Sequence, residues 1–422
     1  MTVYQKILYY IATKNLVPKS VLMILCNSPA TVYRGISRGI ERGYIIEKSI
    51  RVSSGNKHYK EDFLMITNSG LDFLCSLNLK ELYWMNDIPF QKENPRVVDS
   101  NILGSVKVRR YLNVVASSIV AEEMGANVSP MFFDEGNSDY PLVRDVLKKA
   151  YSNNTMMIDG NVQKSNANDS QEHDDIDCKG KLGCAQNKNA ASLLFCTSKE
   201  IKRIVTATGS DSIGLDVRRG KYTGLIECKN YVYTMYSTLK GKFEFSNDEA
   251  KQGRIAFDKY THNRENCAKH RVRKAVLILP SSKEFKASFF DGSINARKDM
   301  IDCYIRSGID EFCVFPISSD GISSLKAYIQ GDIIEEEIKD AAVGSGQYTE
   351  NNRKYSNELF PIVSNEEVPI MIGISMDILK LFSLESIANK HPNETFGVIC
   401  YDWQVEYYDK IGLNLRIIKL ST

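Results

Sequence analysis

Within residues 214–230, GLDVRRGKYTGLIECKN, an aspartate is followed by a Glu-x-Lys triplet: Asp216, then Glu227 and Lys229. Side chains alternate across a strand, so Glu227 and Lys229 share one face, and Cys228 takes the other, if a single strand runs through all three. Asp216 on a neighbouring strand then meets Glu227, and the two carboxylates can hold a hard divalent ion such as magnesium, leaving waters in its other positions. Such an ion acidifies an attacking water and offsets charge on a phosphate, with Lys229 beside the nucleophile. The expected metal ligands are Asp216 and Glu227, and Gln252, in the helix that follows, takes a supporting place in the catalytic set. The same letters also fit a hairpin, GLIECK followed by NYVYTMY. In that reading residues 229–230 are its turn, and Glu227 and Lys229 form a solvent-facing pair.

Asp216 followed by Glu227-Cys228-Lys229, in the order helix, strands, helix, strand, resembles the PD-(D/E)xK nuclease superfamily. The resemblance implies a restriction-endonuclease-like α/β domain and magnesium-dependent cleavage of DNA. Leu215 stands where the superfamily motif has its proline.

An element that finds DNA is expected at the other end of the chain. Val3, Ile7, Leu8 and Ile11 repeat at helical spacing, Pro18 punctuates, and Val21 to Leu25 reads as a short second helix. Ser28 and Pro29 supply an N-cap and a first-turn proline for a third helix, ending near Gly43. In that helix Val32, Ile36 and Ile40 are expected to face the core, leaving Thr31, Arg34, Arg38 and Arg42 on another face. Arginine forks match guanine O6 and N7 in the major groove and also neutralise phosphates. Strands are expected at Tyr44 to Glu47 and Phe63 to Thr67, with the polar RVSSGNKHYKED between them as a wing whose Lys57, His58 and Lys60 reach adjacent phosphates. The order of these elements and the segment FLMITNSGLDFL resemble winged helix-turn-helix proteins.

Around these two sites the chain divides into a winged helix-turn-helix at 1–78, a helical bridge at 79–160, a disordered insertion at 161–189 and an α/β nuclease-like domain at 190–422. The bridge has one good helix from Lys107 to Met124, with Tyr111, Val114, Val115 and Ile119 on one stripe. The insertion is nearly all polar and has too little apolar area to offset ordering. Beyond it, helical and strand patterns alternate, with buried-strand runs at Lys274 to Leu279, Phe312 to Ile317, Pro369 to Ser375 and Phe396 to Tyr401, so the fold class is α/β. The winged-helix pattern, Arg109 and Arg110 in the bridge, FCTSKEIKR, and the Tyr222 and Tyr233 to Tyr236 segments look like the replication-relaxation type proteins of bacterial plasmids and integrative elements. That likeness implies DNA binding without requiring catalysis.

Composition narrows the classes. A 43% hydrophobic, 25% charged chain of 422 residues is that of an ordinary folded protein, and a net charge of +2 excludes a chain-wide basic coat, so DNA contact must be local. The ten cysteines lack regular pairing, and the apolar runs are far shorter than the roughly 20 residues of a membrane span, so a reduced, cytoplasmic protein without membrane contact is expected. His173, Cys178, Cys184 and Cys196 do not have zinc-site spacing, and no phosphate-binding Gly-x-x-x-x-Gly-Lys-Ser/Thr occurs. The expectation is a site-specific duplex-DNA-binding protein that regulates or processes a plasmid or integrative element, as a monomer or a homodimer. The alternatives are a PD-(D/E)xK endonuclease targeted by its winged helix, and a protein-binding adaptor.

Overall fold

The computed structural model describes residues 1–14, 16–54, 57–77, 105–128, 193–198, 200–201, 222–228, 231–262, 272–292, 294–331, 335–351, 355 and 358–420, with backbone alone at 51–54, 57–58, 75, 105–108, 249, 262 and 294–296. The architecture is mixed α/β, with three sheets among the described residues. The expected insertion at 161–189 and the strand expected to carry Asp216 lie outside them.

Helix α1 (Val3–Lys14) buries Ile7, Leu8 and Ile11 completely, as their spacing requires. Strand β1 (Val17–Pro18) follows, and the expected short second helix, Val21–Leu25, is a 3-10 helix. Helix α2 (Pro29–Glu41) begins with proline in its first turn, and Gly43 beyond its end takes a φ of 71°. Strands β2 (Ile45–Ser54) and β3 (Lys57–Ile66) pair antiparallel from Ile45↔Ile66 out to Ser54↔Lys57, and β1 completes a sheet of order β1-β3-β2. Helix α3 (Asn68–Ser76) closes this unit.

The hairpin is far longer than the two short strands expected there. Halfway out, the cross-strand partners Ile50 and Glu61 are both buried. Contact with the rest of the molecule thus extends pairing through a polar stretch whose own propensity suggests a loop.

Helix α4 (Ser105–Glu123) lies between this unit and the second sheet, with Leu112, Val115, Ala116 and Ile119 fully buried. Its C-terminal carboxylates fasten α1. Lys6 and the Tyr10 hydroxyl reach Glu123 at 3.0 and 2.6 Å, and Tyr9 and the buried Lys14 reach Glu122, each at 3.0 Å.

The second sheet runs β4 (Leu194–Thr197), β5 (Tyr222–Glu227), β6 (Val232–Ser237), β7 (Lys274–Leu279), β8 (Glu311–Pro316), in that spatial order. The first two junctions are antiparallel and the last two parallel. Parallel junctions require crossovers. These are helix α5 (Asn247–His262) between β6 and β7, and α6 (Ser282–Phe289) with α7 (Ile294–Arg306) between β7 and β8. Both faces are covered, so β7 reads as a continuous apolar run: Val276 and Ile278 join the core shared with α1, α4 and α8 (Ser319–Gln330), while Ala275, Leu277 and Leu279 face α5 and α6.

The third sheet repeats this plan. Helix α9 (Glu335–Gly344) precedes β9 (Tyr348–Glu350), β10 (Ile362–Ser364), β11 (Pro369–Ile372), β12 (Phe396–Tyr401) and β13 (Leu415–Leu420), again side by side in chain order, antiparallel twice and then parallel twice. Helix α10 (Ile378–Lys390) crosses from β11 to β12 and the short α11 (Val405–Asp409) from β12 to β13. Asp377 joins the two sheets. Its carboxylate caps α10 by accepting from the Leu379 amide, and it accepts the Phe312 amide of edge strand β8, both at 3.1 Å.

Candidate nucleic-acid interface

A helix advances about 100° per residue, so steps of four drift about 40° while a step of seven returns to within about 20°. The expected core row in α2 is therefore corrected at its third member. Val32 and Ile36 are buried, but Ile40 is 39% exposed and Gly39, seven residues after Val32, takes the inward place. A Cβ on Gly39 would lie 2.4 Å from Ile45 Cδ1, so β2 presses directly on the helix there and turns Ile40 outward.

The outward face holds the arginines. Thr31, Arg34, Arg38 and Arg42 are all exposed. Arg34 points most directly away from the core, and the row drifts from it toward α1. The Arg38 guanidinium carbon stands 5.2 Å from the centre of the Tyr4 ring. Burial raises the Tyr4 hydroxyl above its usual range, and Arg42 and Arg38 pull it back, which places both guanidinium groups beside α1. Ser28 occupies the N-cap position in extended conformation, but its side chain makes no capping bond.

On the opposite flank Tyr33 is 50% exposed, with the Lys19 ammonium 5.7 Å from its ring centre; Lys19 is held by Glu47 of β2 at 2.9 Å. Neither Tyr33 nor Lys19 stands out in the sequence. The signal that could have found Tyr33 is its seven-residue separation from Ile40, which puts the two on one stripe.

On the hairpin, Lys60 is exposed and pairs with Asp62 at 3.1 Å. Lys57 and His58 sit in β3, paired with Ser54 and Ser53, and their side chains lie outside the described residues. The outer half of the hairpin is tied to the second sheet's domain. The Lys240 ammonium donates to the Lys60 carbonyl, and Arg109 of α4 donates to the Lys240 carbonyl at 3.1 Å.

Of the expected metal and catalytic set, Asp216 and Lys229 lie outside the described residues. Strand β5 ends at Glu227, and the Cys228 amide donates to the Tyr231 carbonyl at 3.0 Å, which closes a hairpin onto β6. Glu227 faces Leu194 of β4 and Val232 of β6 in register, and accepts a 2.8 Å hydrogen bond from the Tyr260 hydroxyl. Gln252 is buried in α5. Glu227 is thus the one carboxylate of the expected metal pair among the described residues.

Among the described residues no helix is long and apolar enough to cross a membrane. No family model, curated protein or solved structure matches the chain.

Proposed function

We propose that residues 1–78 form a winged helix-turn-helix and that the protein is a site-specific binder of duplex DNA. The observation that carries this reading is the exposed Thr31, Arg34, Arg38, Arg42 face of α2, a helix flanked on its other side by a long antiparallel hairpin. Two helical segments separated by a short turn, then a hairpin, set one helix outward with the hairpin at its side, an arrangement suited to groove and backbone contact together. With a net charge of only +2 over the chain, a local arginine row is the feature that attracts phosphate. The likeness to replication-relaxation type proteins supports a role in regulating or processing a plasmid or integrative element.

The test is binding of the full chain to a labelled random-sequence duplex pool across a salt series. Each lost phosphate contact should flatten the salt slope by about one unit, and each lost base contact should cost about 1–3 kcal/mol at one position only. The Arg34→Ala, Arg38→Ala, Arg42→Ala triple variant is expected to lose most of its affinity with its melting temperature unchanged. Unchanged affinity in a folded triple variant overturns the reading.

A further inference from the structure

Few large apolar side chains are exposed among the described residues, and two of them, Tyr33 and Ile40, lie on α2. Seven residues apart, they form one stripe on the hairpin flank of the helix, across Arg34 from Arg38 and Arg42. Their exposure is built in, since Gly39 brings Ile45 against the helix and leaves Ile40 no inward place. Tyr33 stands on the hairpin side, next to Lys19. An apolar stripe between cationic groups suits a surface that is anionic at its edges and carries apolar points within. The major groove has that character, with phosphates along its walls and the 5-methyl of thymine on its floor.

We propose that Tyr33 and Ile40 read thymine methyl groups in the major groove, next to the position contacted by Arg34. The inference rests on the DNA-binding reading above and adds a base preference to it. Seven residues of helix rise about 10.5 Å, and three base-pair steps rise about 10.2 Å. The two thymines therefore fall no more than about three base pairs apart, and fewer as the helix inclines along the groove.

The test begins with selection of bound duplexes from a random pool by the full-length protein. Deoxyuridine then replaces thymine, one position at a time, in the selected site, which removes only the methyl group. Wild type is expected to lose about fourfold in affinity at each of two positions, as for one buried methyl group. Tyr33→Ala should abolish the sensitivity at one position and Ile40→Ala at the other, with melting temperatures unchanged because both side chains are exposed. Duplex binding that ignores every such replacement overturns this inference and leaves the DNA-binding reading standing. Failure of wild type to bind any duplex overturns both. A change of oligomeric state in the two variants, measured by light scattering, with methyl sensitivity intact, assigns the stripe to a second copy of the chain and also overturns the inference.

Discussion

Glu61 is 4% exposed in β3, close to Lys240, Asp62 and Arg109. Burial pushes its carboxyl from an ordinary 4.5 up to about 7; Lys240 and Arg109 act against the shift and Asp62 with it. Between those two values the folded chain keeps a proton that the unfolded chain has lost, so stability falls as pH rises through this window and levels off above it. The stability lost at Glu61 is on the order of 3 kcal/mol. Asp377 has the same sign, raised from 3.8 to about 7 by burial first and Glu311 second. Melting temperature is expected to be higher at pH 5 than at pH 8, with a shallower decline in Glu61→Gln. A rise from pH 5 to pH 8 in wild type contradicts this. None of it was legible in the sequence, because Glu61 is charged on a polar hairpin and the residues that bury it are remote; Lys240 follows the neighbouring Lys60 by 180 positions. The arginine row, by contrast, was legible, since helical period alone separates Arg34 and Arg38 from Val32 and Ile36.

At the scale of elements, α2 shows where period reading stops. Rows of four suggested Ile40 as core, and only the Gly39 to Ile45 contact decides otherwise. Replacing Gly39 with valine should drive a branched side chain into β2 and cost about 1–3 kcal/mol, more than the gain from removing a helical glycine. Urea unfolding measures it, and a neutral or stabilising result would show that β2 yields. The strands of the α/β part were readable because strands buried on both faces are nearly unbroken apolar runs: β5, β7 and β12 fall where Tyr222 to Glu227, Lys274 to Leu279 and Phe396 to Tyr401 indicate. The Glu-x-Lys triplet was not decidable in the same way. A strand through Lys229 and a hairpin closed at Cys228 and Tyr231 put the same apolar letters in β5 and β6, and the choice rests on backbone pairing, which leaves no mark on composition.

At the scale of the molecule, two five-stranded sheets share one order and one pattern of directions, though no internal repeat is visible in the sequence. Strand direction and neighbour order are properties of backbone pairing that unrelated apolar letters satisfy equally well. Asp377 is a polar link between the sheets, so its loss should be felt as more than a missing helix cap. Asp377→Ala removes the cap of α10 and leaves the Phe312 amide without its acceptor, for an expected cost of about 2–4 kcal/mol in urea unfolding. Asp377→Asn keeps an acceptor and should cost much less while flattening the pH dependence. Equal losses in the two variants would assign the effect to packing instead.

That same bond sets a clock during synthesis. In both sheets each strand pairs with the one made just before it, so each new strand finds its neighbour already outside the ribosome. Strand β8 completes the second sheet but leaves an open edge, and the carboxylate that accepts its Phe312 amide comes 65 residues later. At the usual pace of translation, that interval is roughly 3 to 13 s. For those seconds the Phe312 amide of the apolar EFCVFP strand is open to any neighbouring nascent chain, the exposure from which edge-to-edge aggregation begins.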